Sequence, residues 1–331
     1  MKLDYLDSLP ENFFELDHKS LFDVIKGPTI IRLKGELDPP MFVTVLQHGN
    51  ELSSFYAVQK FLKEKKLRRS VILFICNPEA AFNEVRQLDG CLDFNRVWVP
   101  GDSAQHRIAS EVLHYAKKEN IFLSVDLHNN TGKNPYYACI NKLETSFLKL
   151  AALFGKHVIY FEKPSEVNSM AFAKICPAVT LECGQSMDPK GIDKMVDYLT
   201  ILNDIESFDE LRYDRHSFHV FQTVGRIKVI QTASIDFDFS HTGSDISFVQ
   251  NIDELNFSLV KPGQIFAYCP PHHEGIYVID DNDQVITDKY FEFDENHLLT
   301  SKREFIPAML TKNSSVAKSD CLGYIMEKKT L

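Results

Sequence analysis

From about residue 28 to 205, short apolar runs alternate with longer segments of helical period, and that alternation restricts the chain to a small set of folds. The runs lie at 41–46, 71–75, 121–127, 136–140, 157–161 and 178–182. Each has the length of a strand. Between them Leu52, Phe55, Val58, Phe61 and Leu62 recur at helical spacing, as do Ile108, Val112, Tyr115 and Ala116, then Phe147, Leu150, Ala151 and Phe154. A last helix fits 190–206 through Ile192, Met195, Leu199 and Leu202. Strands alternating with helices predict an α/β sheet covered by helices on both faces.

After the charged stretch Asp209-Glu210-Leu211-Arg212-Tyr213-Asp214-Arg215 the pattern changes. Strand-like runs at 220–224, 226–230, 264–268 and 275–279 are separated by turn signals such as Lys261-Pro262-Gly263 and Asp281-Asn282-Asp283. The expected organisation is a catalytic domain over residues 1–208 and a smaller β-rich domain over 216–331. The 331 residues, with 44% apolar content, suffice for two domains.

A net charge of −10 argues against a nucleic-acid partner, which would call for a basic face. It does not exclude an anionic substrate, because a bidentate arginine meets a carboxylate locally. No apolar stretch approaches the ~18 residues of a spanning helix. The first residues show no basic segment followed by an apolar core, so no secretory signal is expected. Seven scattered cysteines without a Cys-x-x-Cys pair fit reduced thiols in a cytoplasmic protein.

His48 and Glu51 stand three residues apart directly after the run 41–46, where an open α/β sheet places its active site. Imidazole nitrogen and carboxylate oxygen suit zinc, and a catalytic zinc takes three protein ligands with one position open. The third candidate is His128, which closes the run ending Asp126-Leu127-His128. Asp126 lies two positions earlier and so shares its face on a strand. It fits either a carboxylate orienting a ligand or a polar strand end. Glu182 closes the run 178–182 ahead of Gly184, a plausible general base for a water on zinc. Taken alone it fits an N-cap or ion-pair partner equally well.

The loop after Asn77-Pro78 carries Arg86, Asp89, Asp93, Asn95 and Arg96. Its two arginines divide naturally between a developing oxyanion and a substrate carboxylate. The competing reading pairs them with Asp89 and Asp93 at the surface.

His48-Gly49-Asn50-Glu51, Asn77-Pro78, Arg86 with Asp93-Phe94-Asn95-Arg96, Asp126-Leu127-His128-Asn129 and Leu181-Glu182-Cys183-Gly184 occur in one order. In that order they resemble the succinylglutamate desuccinylase and aspartoacylase family of zinc carboxypeptidase-like hydrolases. The resemblance spans roughly 40–205 and extends weakly to Asp253–Ser258 and Lys261–Gln264. It implies a zinc-carboxypeptidase-like mixed sheet and one zinc per chain on His48, Glu51 and His128. It further implies Glu182 as general acid and base, Arg86 on the scissile carbonyl, and Asn95 with Arg96 on a substrate carboxylate. Two departures stand out: the path from Arg86 to Asn95 is longer than the family's usual one, and no equivalent of the aspartoacylase C-terminal tyrosine is legible.

A serine hydrolase is excluded by the lack of a Gly-x-Ser-x-Gly elbow, and nucleotide binding by the lack of Gly-rich phosphate motifs. His272-His273-Glu274 reads as an exposed turn after Pro270-Pro271, and His216 and His219 as surface residues. A non-catalytic metal-binding homologue would be expected to lack Glu182 or a ligand. A peptide-cleaving zinc carboxypeptidase would need an open groove, which a β domain over 216–331 would wall off. The expected activity is removal of the acyl group of a small N-acyl amino acid, N-succinylglutamate-like ahead of N-acetylaspartate. No membrane partner is expected, and a homo-oligomer is compatible with the sequence.

Overall fold

The computed structural model describes every residue except 131, 215, 241–242 and 271–274; His272, His273 and Glu274 therefore lie outside the described residues. The chain forms two compact units: residues 1–129 with 136–219, and residues 130–135 with 220–331.

The first unit is a mixed sheet. In chain order its strands are β1 (Asp4–Leu6), β2 (Thr29–Leu33), β3 (Leu37–Val45), β4 (Arg69–Ile75), β5 (Leu123–His128), β6 (Tyr137–Ile140), β7 (His157–Tyr160) and β8 (Ala178–Glu182). Side by side they run β1-β2-β4-β3-β5-β8-β6-β7. The middle four, β4, β3, β5 and β8, are mutually parallel, whereas β2 is antiparallel to β4 and β6 to β8. The parallel strands are buried along nearly their whole length, which is why they read as unbroken apolar runs with no period-two alternation.

Helices α1 (Ser20–Val24), α2 (Ser53–Glu64), α3 (Pro78–Phe82), α4 (Ala104–Lys118), α5 (Thr145–Phe154), α6 (Asn168–Phe172) and α7 (Pro189–Asp204) cover this sheet. Helices α2 and α7 pack on one another, while α6 lies against β5 and β8. Their starts follow from local chemistry. Ser103 accepts the backbone N–H of His106 at the head of α4, and Asp188 accepts that of Lys190 ahead of Pro189 in α7. Strands β1 and β2 and the short helices α1, α3 and α6 carry too little periodic signal to read from sequence. None of the described helices is long and apolar enough to cross a membrane.

The second unit is built mainly of strands, with two short helices, α8 (Thr287–Tyr290) and α9 (Ser314–Ser319). β9 (His219–Val229), β10 (Ile235–Asp236), β11 (Ile246–Phe248), β12 (Ile265–Tyr268), β13 (Ile276–Ile279), β14 (Phe291–Phe293), β15 (Leu298–Ser301), β16 (Ile306–Ala308) and β17 (Gly323–Lys328) form two groups. β13, β9, β17 and β16 lie side by side, all antiparallel. The other group is a five-stranded sheet in the order β10-β11-β12-β15-β14. One apolar cluster, including Ile227, Phe248, Phe266, Val278, Phe291, Phe305 and Ile325, draws residues from both groups. The runs 220–224 and 226–230, separate in the sequence reading, form one strand, with Gly225 at the point where the pairing with β17 shifts register.

Residues 130–135 leave the end of β5 and pack with this second unit. Asn134 Oδ1 accepts the Met309 N–H at 2.9 Å, and Asn256 Nδ2 donates to the carbonyls of Lys133 and Leu310. A Cβ on Gly132 would stand 2.3 Å from the Leu310 oxygen, so only glycine permits that approach.

Candidate metal centre

The carboxyl ends of β3, β5 and β8 converge, and each delivers a polar side chain. β3 ends at Val45, and Leu46 takes a left-handed conformation (φ 56°) that turns the chain out of the sheet. His48 and Glu51 accordingly sit in the loop between β3 and α2, beyond the strand itself. His128 is the last residue of β5, and its register partner on the adjoining parallel strand is Glu182.

His48 Nδ1 lies 2.7 Å from Glu51 Oε1, and His128 Nδ1 lies 2.8 Å from Glu51 Oε2. The ligand atoms offered by the three residues all fall within 4.8 Å of one another. On the far side each imidazole meets a carboxylate through Nε2: His48 with Asp93 Oδ1 at 3.0 Å, His128 with Asp126 Oδ2 at 3.0 Å. With a cation between the two Nδ1 atoms and Glu51, each ring proton would sit on Nε2 against its carboxylate and Nδ1 would offer the lone pair a metal requires.

Charge supports the same use. Three nearly buried carboxylates, Glu51, Asp93 and Asp126, stand against one guanidinium, that of Arg86, which donates through Nε and Nη2 to Asp93 Oδ2. The surplus of carboxylates around the two imidazoles is what a divalent cation would offset. The protonation tendencies reflect this surplus. Burial lowers the affinity of His128 for a proton, yet Asp126 and Glu51 outweigh it and push the imidazole well above its ordinary value. Burial alone would raise Glu51, but His48 and His128 hold it far below the usual carboxylate range. Asp93 is likewise held low, against its burial, by His48 and Arg86. The donor set of two imidazoles and one carboxylate fits zinc.

Asn129 ties the three strand ends together. Its N–H donates to Glu51 Oε2 at 3.0 Å, its Oδ1 accepts the Ser53 N–H, and its Nδ2 donates to the Gly184 carbonyl at 3.1 Å. The Leu52 N–H donates to Ser186 Oγ and the Met187 N–H to Ser53 Oγ, so the loop after β8 is fastened to the loop after β3. Gly184, at φ +73°, makes the turn that follows Glu182. Glu182 is buried at 9% exposure, and its charge adds to the burial that pushes the Cys139 and Cys183 thiols well above their ordinary range.

The loop 83–97 brings the remaining candidates to the edge of this cluster. Asn77 caps α3 by accepting the Ala80 N–H, with Pro78 in the first turn. Arg86 is engaged with Asp93, as the competing sequence reading had it, but Asp93 is also the partner of His48, so the pair belongs to the centre. Asn95 accepts the Asn168 N–H through Oδ1 and gives its own N–H to Asp93 Oδ1. Arg96 Nη1 donates to the Asn95 carbonyl. His216 and His219 are exposed. Sequence reasoning missed the roles of Asp93 toward His48, of Asn129, and of Gln47 with Trp98, whose side chains meet at 2.9 Å. For Gln47 and Asn129 the available signal was adjacency to a candidate ligand; for Trp98 there was none.

Fold and centre together define a hydrolase built on a mixed α/β sheet. Residues 39–207 match the model of the succinylglutamate desuccinylase/aspartoacylase catalytic domain. The chain belongs to that family, whose members are amide-bond hydrolases. Solved structures agree on the fold. A succinylglutamate desuccinylase/aspartoacylase from Rhodobacter sphaeroides superposes with a TM-score of 0.61 at 16% identity, covering 91% of this chain and 89% of its own. The succinylglutamate desuccinylase of Chromobacterium violaceum gives 0.57 at 16% identity, with 88% and 85% covered. Murine aminoacylase 3 gives 0.55 at 16% identity, with 89% and 96% covered. No curated protein matches the chain.

Proposed function

We propose that this chain is a zinc-dependent deacylase that hydrolyses the amide bond of a small N-acyl amino acid with an acidic side chain. The observation that carries the reading is the convergence at the carboxyl ends of adjacent strands. Two imidazoles share the Glu51 carboxylate, and Glu182 is the register partner of His128.

In this reading His48, Glu51 and His128 hold one zinc, which when bound supplies Lewis acidity toward water and the scissile carbonyl. Glu182 accepts the proton of the attacking water and returns it to the departing amine. Arg86, held by Asp93, stabilises the charge that develops on the carbonyl oxygen. Asn95 and Arg96 orient the substrate by a carboxylate, for which the planar fork of arginine is suited. The thiols, none bridged and all but Cys91 buried, support a reducing cytoplasmic setting.

N-succinylglutamate-like compounds are favoured over N-acetylaspartate, because the aspartoacylase C-terminal tyrosine has no legible counterpart. The test is kcat/KM for both compounds on one zinc-loaded preparation. A clear preference for N-acetylaspartate overturns the substrate choice. Release of C-terminal residues from peptides without deacylation replaces the reading with a carboxypeptidase, and zinc uptake without any turnover replaces it with a binding homologue.

A further inference from the structure

Trp98 is the chain's single tryptophan, 3% exposed, and it lies far in sequence from the proposed ligand it influences. Its ring is fixed from several sides. It packs against Phe172 at 5.7 Å and edge-on to Phe74 at 6.3 Å, while its backbone N–H donates to the Glu166 carbonyl. The indole Nε1–H can only donate, and it donates to Gln47 Oε1 at 2.9 Å.

That contact decides which way the Gln47 amide faces. With Oε1 on the indole, Nε2 points at Asp126 Oδ2, 2.7 Å away. The flipped amide would set two donors against each other at Trp98 and two acceptors against each other at Asp126. Asp126 Oδ2 then receives two donors, Gln47 Nε2–H and His128 Nε2–H at 3.0 Å. The 3.2 Å approach of Gln47 Nε2 to His128 Nε2 is the meeting of two donors at one oxygen, not a bond between them. When a metal takes the place of the proton at Nδ1, the atom facing Glu51, the remaining ring proton is the one on Nε2 that Asp126 accepts.

We infer that Trp98 and Gln47 are positioning residues which, through Asp126, fix the tautomer and ring orientation of His128 for metal binding at Nδ1; this rests on the zinc reading above. The two imidazoles are thus oriented by different means. The carboxylate behind His48 is held by Arg86, whereas the one behind His128 is held by an interior amide locked by an indole.

The test is zinc affinity by chelator competition in Gln47→Leu, Trp98→Phe and the double variant, read alongside the single indole N–H resonance of Trp98. Losing such an outer partner typically costs ~10–100-fold in metal affinity, and Gln47→Leu is expected in that range. Trp98→Phe keeps the ring and drops only the donor, and is expected to weaken zinc by less. In the double variant Trp98→Phe should add nothing to Gln47→Leu, because it acts through that amide. Zinc should shift the indole resonance in the wild type and leave it unmoved in Gln47→Leu. Wild-type affinity in both single variants, or additive losses in the double, overturns the positioning role while leaving the zinc reading intact. A wild-type chain that takes up no zinc overturns both. Should Gln47→Leu fail to fold, the zinc affinity of Trp98→Phe and the zinc-induced indole shift of the wild type decide the matter: wild-type affinity with an unmoved resonance overturns the positioning role.

Discussion

His128 and Glu182 are neighbours across two parallel strands, and their chemistry separates under mutation. His128→Ala removes one of three proposed ligands and should abolish most zinc binding, read as metal content after dialysis. Wild-type content would place the metal elsewhere. Glu182→Gln keeps shape and removes the proton acceptor, so zinc and folding should persist while kcat falls by ~10²–10⁴. Near-full kcat would show that another group takes the proton. Arg96→Lys keeps the charge but loses the fork, so KM for an N-acylated acidic amino acid should rise with kcat less affected. A fall in kcat at unchanged KM would instead give Arg96 a role confined to the transition state. At this scale the proposed ligands and Glu182 were legible because they close or follow an apolar run, whereas Arg86, Asn95 and Arg96 were legible as polar residues of one long loop after a strand. Their partners were not: Asp93 lies 45 positions from His48 and Gln47 79 from Asp126, and no local pattern encodes such pairings.

At the scale of elements, close approach of backbones places the loop that carries Arg86. A Cβ on Gly49 would lie 2.0–2.3 Å from the backbone of Ala80 and Ala81 in α3, and the Gly49 N–H donates to the Arg86 carbonyl. Gly49→Ala must push α3 away from the loop that bears His48. Overpacking of this kind costs about 1–3 kcal/mol, so urea unfolding should shift to lower concentration and zinc affinity should fall with it. Unchanged stability and affinity would mean that α3 is not held against that loop. The long strands and helices were readable from period and length. The start of β3 was not: the run read from 41 begins at Leu37, and Pro39 and Pro40 conceal those first residues, whereas its end at Val45 lies within one residue of the reading. The single strand β9 was hidden by Gly225, which reads as a break but is accommodated by a shift in pairing register.

For the whole molecule, the proposed ligands all belong to the first compact unit, while the second has its own apolar cluster. Zinc bound only by the folded state at a thousandfold excess over its Kd stabilises by about 4 kcal/mol. Calorimetry with and without a chelator should therefore show the zinc-loaded chain unfolding at higher temperature; a thermogram unaffected by chelation would contradict the zinc reading. The sequence by itself determined the alternation of strand and helix, the β-rich character of the C-terminal half and the order of the motifs, because periodicity and residue type are local properties. Only the tertiary structure decided that residues 130–135, directly after His128 and Asn129, pack with the second unit. It likewise decided that Asp93 stands behind His48 and Gln47 behind Asp126. Those arrangements depend on strand order and loop closure, which bring distant residues within hydrogen-bond reach, and neither is written in any short window of the chain.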